Sequence, residues 1–428
     1  MVYSCRHLCF QKGVWRMNYE LLLEGWCELG LGLLHSGAEI YRVEDTLHRL
    51  ARAYHLTCEV FAIPNCLMVS VTDPEGRVHT RMRQATVSGT DIEGIERYNA
   101  LSRRLCANPP QDPQDFLLAV RQTAASIRRY PAHYQLVGYF VGSLFFSLFF
   151  SGGWLESLVA ALSGLLCGMC MLALNRTRSN FFINTMASGF VLALVVYVAL
   201  GLGLPINPGT AVVGSIMVLV PGLVFTNFMS NLLTGDIVSG LSTFTRAVLT
   251  AGAIALGTGA AMALCQNLFP NSNPLTAVAV YSPLGYCFFA FMGCLGFCLL
   301  YNVRGIGSFL CCLGGALGWA VYLPVMWLTD NNVFISNLAA SVGVAIYAEI
   351  MARLRKCPTI SYLVVSYFPL VPGFTVYQAV DYGIRGESQL FLETMIRTFG
   401  ISGCIALGTL LVSTAVRMYC TRKEKPHL

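Results

Sequence analysis

Charge is what this sequence has least of. Only 12% of its 428 residues are Asp, Glu, Lys or Arg, about half the share of an ordinary soluble chain. That scarcity excludes a freely soluble protein for most of the length. A hydrophobic content of 55% and a mean hydropathy of +0.60 agree. Residues 1–133 hold many of the charges, while most of 134–418 reads as long apolar runs, and a membrane helix needs roughly 20 such residues. A nucleic-acid signal is also missing. The formal net charge of +6 comes from Lys and Arg in short loops beside apolar runs, where they set topology.

Other absences narrow the chemistry. No Walker-type phosphate loop occurs, so ATP is not read as the driving force. The 17 cysteines have no framework spacing. Cys167-Gly168-Met169-Cys170 lacks the second pair that a zinc site needs. Cys294, Cys298, Cys311 and Cys312 also lie inside apolar runs, where they read as small packing residues. No metal and no cofactor are expected. The first residues carry charge but no apolar h-region or cleavage site, so no signal peptide is read. Residues 1–16 read as an N-terminal extension, with Met17 as an alternative start.

The polar part, residues 17–133, reads as a small α+β domain on the cytosolic side. Leu22, Leu23, Trp26, Leu29 and Leu33 recur at helical spacing from Tyr19. Ser36-Gly37 breaks the pattern, and a second helix carries Ile40, Val43, Leu47, Leu50, Ala51 and Tyr54 on one face. Strand-like runs follow at Thr57–Ile63, Leu67–Thr72 and Arg77–Arg83, with Asp73-Pro74-Glu75-Gly76 as a turn between the last two. Helices near Asp91–Cys106 and Pro113–Arg129 lead into the membrane. In the first break, His35, Glu39, Arg42, Glu44 and Asp45 make a polar motif. It suits either a hydrolytic or ligand-sensing site, or a solvated helix face laced by Arg42–Asp45 and Asp45–Arg49 ion pairs.

Ten apolar spans can be drawn, and the last five repeat the first five. Pro221-Gly222 and Pro372-Gly373 lie 151 positions apart (372 − 221). The same shift carries Ser215 onto Ser366, Asn227 onto Gln378, Gly235 onto Gly386, Asp236 onto Glu387 and Arg246 onto Arg397. A register held without gaps over that stretch points to duplication. Five spans per repeat is an odd number, so the halves, residues 134–270 and 271–428, must be inverted relative to each other. The predicted fold is therefore a mostly α polytopic membrane protein, ten transmembrane helices in a 5+5 inverted repeat. Loop charges give the orientation independently. Arg128, Arg129, Arg176, Arg178, Arg246, Arg304, Arg353, Arg355 and Lys356 alternate with loops that hold almost no Lys or Arg. Both termini are thus placed in the cytosol, Lys425 included, and the spans in a bacterial inner membrane.

The Pro-Gly pairs mark the candidate substrate site. Proline removes a backbone donor and glycine loosens the helix, so each span should break there. A backbone broken at mid-membrane depth is tolerated only inside protein or beside a wet cavity. Thr226, Asn227, Ser230 and Asn231 follow the first break, Thr375, Tyr377, Gln378 and Asp381 the second. The exposed half-helix N-termini would meet a substrate carboxylate. The plain alternative is a packing kink with hydroxyls bonded to their own helix. Asp236–Arg246 and Glu387–Arg397 are read as two ionic gates near opposite faces.

These residues carry a family resemblance. The run His35-Ser36-Gly37-Ala38-Glu39, followed by Arg42-Val43-Glu44-Asp45-Thr46, resembles the N-terminal signature of bacterial threonine/serine exporters. The Leu-Val-Pro-Gly repeats at 219–222 and 370–373 look like that family's two membrane modules, here fused, with the first ending near 265. The resemblance runs from about Met17 to the last span. It implies secondary transport of a small carboxylate-bearing metabolite, threonine or serine first, driven by the proton-motive force. Dicarboxylate exporters, succinate included, share the signature and are the alternative. A membrane-tethered hydrolase using His35 and Glu39 is a rival from another class, and a solute sensor is a third reading. The expected partners are a small-molecule substrate, protons and the lipid bilayer, with no nucleic acid. A homo-oligomer is left open.

Overall fold

The computed structural model describes residues 17–423 apart from 64, 86–88, 178, 271–274 and 276. The extension at 1–16, Arg178, part of the loop before Leu275 and Lys425 lie outside the described residues. Two compact units form, residues 17–90 with 94–128, and residues 91–93 with 129 onward.

In the first unit, Asn18 starts helix α1 (Tyr19–His35), its side-chain oxygen accepting from the Leu21 N–H at 3.1 Å. That satisfies one of the donors a helix start leaves open. The five apolar positions named above are all buried on α1. Helix α2 (Ile40–Ala53) follows and packs on strand β1 (Thr57–Ile63). Strands β2 (Cys66–Thr72) and β3 (Val78–Gln84) complete an antiparallel sheet in the order β1-β2-β3. Its inner face, Leu67, Val69 and Val71, is fully buried, and α1 packs on β2 and β3. The β2–β3 turn uses Asp73 as its staple: the Arg77 N–H donates to Asp73 Oδ1 at 2.8 Å. Burial opposes that carboxylate's charge. The Arg77 N–H, His79 and the Arg77 guanidinium outweigh it and hold the group down at about 2. Helices α3 (Ile92–Ala107) and α4 (Pro113–Ser126) follow, the latter against α1.

The second unit is all helix: α5 (Ala132–Phe149), α6 (Trp154–Arg176), α7 (Phe181–Gly201), α8 (Pro208–Ile216), α9 (Gly222–Leu233) and α10 (Ile237–Leu268), then α11 (Pro283–Leu300), α12 (Ile306–Leu328), α13 (Val333–Arg355), α14 (Ile360–Ser366), α15 (Gly373–Ile384) and α16 (Ser388–Lys423). Seven of these, α6, α7, α10, α11, α12, α13 and α16, are long and apolar enough to cross a membrane. Polar first-turn residues His133, Tyr134 and Gln135 keep α5 out of that set. The pairs α8/α9 and α14/α15 are short because each apolar run stops before its Pro-Gly and resumes at the glycine.

The packing repeats. Helix α5 touches α6 and α8, as α11 touches α12 and α14. Helix α7 lies on α6, α8 and α10, as α13 lies on α12, α14 and α16. Helix α9 packs on α10 and crosses to α16, while α15 packs on α16 and crosses to α10. The two sets also meet through α5–α11 and α9–α15. At α5–α11 the approach is close, because a Cβ on Gly296 would lie 2.7 Å from Gly142 Cα. Bilayer helices use small residues in this way, having no hydrophobic gradient to pull them together.

Candidate functional site

The two Pro-Gly breaks, far apart in sequence, touch. A Cβ on Gly222 would collide with Val371 Cγ1 and lie 3.0 Å from Gly373 Cα, and one on Gly373 would lie 3.0 Å from Val220 Cγ1. Pro221 and Pro372 adopt nearly the same backbone, φ −80°, ψ 38° and φ −76°, ψ 46°. The N-termini of α9 and α15 therefore converge on one point, and the positive ends of two helix dipoles with them. All four break residues are buried.

The side chains after the breaks divide into two kinds. Thr226 Oγ1 donates to Gly222 O at 3.2 Å and Thr375 Oγ1 to Pro372 O at 2.9 Å, so both hydroxyl protons are spent on their own helices. Thr375 also accepts from Thr398 Oγ1 at 2.8 Å. Asn227 is exposed and Gln378 half-buried. Neither amide has a hydrogen-bond partner among the described residues, so both keep their full donor and acceptor capacity.

Tyr377 and Asp381, read from sequence among the polar residues after the second break, find partners here, and an aromatic cluster that sequence reasoning passed over lies on the other side. On α15, Tyr377 makes a hydroxyl contact of 3.1 Å with Thr258 of α10, and Arg385 Nε donates to Asp381 Oδ2 at 2.9 Å. The four-residue spacing of Gly373, Tyr377, Asp381 and Arg385 was the available signal. On the α9 side, Phe225, Phe228, Phe244 and Phe399 join into one aromatic cluster with ring centroids 4.8–6.1 Å apart. Nothing in the local pattern announced that Phe399, from a distant helix, would close it.

Neither expected gate is an ion pair in this structure. Asp236 caps α10, accepting from the Ser239 N–H at 3.1 Å, while Arg246 lies 5.5 Å from the Phe181 ring centroid. Ten residues of one continuous helix put about 15 Å between two such positions, which explains the separation. Glu387 and Arg397 are both exposed and likewise unpaired with each other. An ion pair does form between Asp381 and Arg385, one turn apart on α15.

The N-terminal motif is first of all a helix ending. The Ala38 N–H donates to Leu33 O and the Gly37 N–H to Leu34 O, both at 3.0 Å, the two bonds of a Schellman turn. Gly37 has φ +84°, and a Cβ there would lie 2.9 Å from Gly89 O. Alanine at Gly37 should therefore cost about 1–2 kcal/mol. Hydrogen exchange on the α1–α2 backbone of the intact protein would show faster opening, and unchanged protection would refute this role.

The rest of the motif is placed around α2. Glu39 stands at its N-cap. Burial pushes its carboxyl up, against the pull of Arg42 and a hydrogen bond from Tyr41. Glu44 Oε1 accepts from the Ala62 N–H at 3.2 Å and ties α2 to β1, and Asp45 pairs with Arg49 at 2.8 Å. His35 is the last residue of α1. Among the described residues, no group of three or more His, Cys, Asp or Glu could hold a metal ion.

Seven long apolar helices, beside two pairs of short helices that meet at a buried junction, define a polytopic integral membrane protein that also carries a small α+β unit. Comparison with known sequences gives the family. The profile described as "Putative threonine/serine exporter" matches residues 26–265, and that of "Threonine/Serine exporter, ThrE" matches 286–415. The chain belongs to the threonine/serine exporter family. It is 22% identical over 320 residues to "Threonine/serine exporter" of Corynebacterium glutamicum, covering 71% of this chain and 63% of that protein. It is 23% identical over 425 residues to "Probable threonine/serine exporter" of Mycobacterium tuberculosis, covering 94% of this chain and 78% of that one. The chain thus spans under two thirds of the first relative's length. No solved structure matches.

Proposed function

We propose that this chain is a secondary exporter of small amino acids, threonine and serine first, working by alternating access with protons as the coupling ion. The observation that carries the reading is the junction of Gly222 with Gly373. Two half-helix N-termini meet there from two similarly packed sets of helices, and a carboxylate needs such a place inside a membrane. The architecture we infer is ten crossings in a 5+5 inverted repeat, counting α8/α9 and α14/α15 as one broken span each. Its support is that each packing partnership within α5–α10 recurs in α11–α16.

Loop contacts support the orientation, with both termini in the cytosol of a bacterial cell. On one face, Ala279 N donates to Ser151 O at 2.8 Å, Leu275 N to Ile206 O at 3.1 Å and Tyr281 O–H to Gly152 O at 2.8 Å. These are loops the charge bias places outside. On another, Asp91 accepts from Arg129 Nε at 3.1 Å and Asn302 Nδ2 at 2.9 Å, and Arg304 lies 4.6 Å from the Tyr130 ring centroid. These belong to loops placed inside. No observation favours the tethered hydrolase, since the Gly37 turn accounts for the motif's geometry.

The test is efflux of labelled threonine, serine and succinate from proteoliposomes holding the intact protein. Asn227→Leu and Gln378→Leu each remove a free amide. Each should raise the half-saturation concentration for threonine roughly 5- to 150-fold, the worth of about 1–3 kcal/mol. Unchanged affinity in both would move the site elsewhere. Asn175, at the end of its span, looks from sequence like a neutral control. It is not one, because its Oδ1 accepts from Asn184 Nδ2 at 3.3 Å.

A further inference from the structure

The α15 half of the junction carries charges that its counterpart lacks. Gly373, Tyr377, Asp381 and Arg385 lie on one face of α15, running away from the break. The residues 151 positions earlier are Gly222, Thr226, Ser230 and Thr234, a face with hydroxyls and no charge. The charged face is not left open to lipid. Helix α15 packs on α10, and Tyr377 is anchored to Thr258 there. Tyr197 of α7 packs against the same apolar cluster as Tyr377, around Val196, Leu200 and Ile254. The Tyr197 hydroxyl lies within electrostatic reach of both Asp381 and Arg385. The Asp381 side chain is only 18% exposed, low for a carboxylate, while Arg385 reaches out at 49%. Three helices thus bring one anion, one cation and two phenol hydroxyls to the end of a stripe that starts at the break.

We propose that Asp381 and Arg385 form a second, outer ionic subsite for a zwitterion, a station passed before or after the Gly222–Gly373 junction and about 12–18 Å from it along α15, Asp381 taking the ammonium group and Arg385 the α-carboxylate there, with Tyr377 and Tyr197 lining the approach. The inference rests on the exporter reading above and narrows its substrate to α-amino acids. The physical reason is charge exchange. In the empty protein the two side chains satisfy each other, as charges in a membrane must be. A zwitterion gives each a new partner of the right sign in the same event, so neither is stranded. A dicarboxylate satisfies Arg385 and sets a second anion against Asp381. A molecule lacking the ammonium leaves Asp381 bare, and one lacking the carboxylate leaves Arg385 bare. Rejection of the wrong charge pattern is therefore built into the pair.

The test uses the intact protein in proteoliposomes, with threonine efflux challenged by three competitors. These are 3-hydroxybutyrate, which lacks the ammonium, threoninol, which lacks the carboxylate, and succinate. In the wild type none should compete. Asp381→Asn should raise the half-saturation for threonine about tenfold or more and admit 3-hydroxybutyrate and succinate. Arg385→Gln should raise it similarly and admit threoninol. Asp381→Glu, which keeps the charge, should keep both analogues out, a rescue that a merely structural pair would not tie to competitor choice. The two neutral variants carry the test independently if one misfolds. Wild-type affinity and selectivity in both would overturn the subsite and leave the exporter reading standing. A wild type that moves no threonine or serine would overturn that reading, and the subsite with it.

Discussion

Leucine in place of Gly222 is expected to abolish export while the protein still inserts. An added Cβ on Gly222 would collide with Val371 Cγ1 and also press on backbone, lying 3.0 Å from Gly373 Cα and 3.2 Å from Gly373 N. Backbone in a packed junction cannot step aside, so α9 and α15 would be pushed apart at the point where they converge. Overpacking of this kind costs about 1–3 kcal/mol in an ordinary core. Here the same displacement also spoils the alignment of two helix N-termini, so activity should suffer more than stability. The matched control is Gly259→Ala on α10, where a Cβ meets nothing within 4 Å. It should be silent or slightly stabilising, since alanine favours a helix over glycine by about 1 kcal/mol. Efflux normalised to inserted protein checks both. Gly222→Leu with wild-type flux would show that the close approach has no functional meaning.

Phe225→Ala should be the most destabilising of the aromatic truncations. Phe225 is fully buried, with ring centroids 5.5 Å from Phe228, 6.1 Å from Phe244 and 5.2 Å from Phe399. The cluster binds α9, α10 and α16 together just past the first break. In water-soluble cores Phe→Ala costs about 3–5 kcal/mol, part of it lost transfer energy. A bilayer supplies less of that part because lipid is itself apolar, so about 2–4 kcal/mol is expected from lost packing. The positions 151 residues away from these four are Val376, Ala379, Met395 and Val248, and no such cluster forms among them. Met395→Ala is therefore the comparison. A thermal midpoint in detergent lowered by several degrees for Phe225→Ala and much less for Met395→Ala is the expected result. Equal shifts would mean that the rings do not seal this side.

Particular residues show how far the sequence could be read. Trp26, Leu29 and Leu33 were legible as core because a helix beside a polar exterior sorts its faces by hydrophobicity, and the periodicity records the sorting. The DPEG turn and the Gly37 break were legible because turn chemistry is local. The interruptions at Pro221 and Pro372 followed from proline's missing donor. The gate pairs failed for an equally plain reason. Asp236 and Arg246 matched their counterparts in register, but register says nothing about distance along one straight helix.

By itself, then, the sequence determined the seven long apolar helices, the match between the two Pro-Gly segments, the two breaks and the layout of the N-terminal unit. All of these are written in short-range spacing and in the shift of 151 residues. Only the tertiary structure decided that Gly222 abuts Gly373, that Thr226 and Thr375 turn back on their own helices, that Arg246 turns to Phe181, and that Tyr377 reaches Thr258. The reason lies in the solvent. Within apolar runs the lipid-facing and protein-facing sides have nearly the same composition, so no hydrophobic gradient marks which face is inside. Helix partners are then chosen by shape, by the fit of small residues against backbone and of ring against ring, and that fit exists only once the helices are side by side.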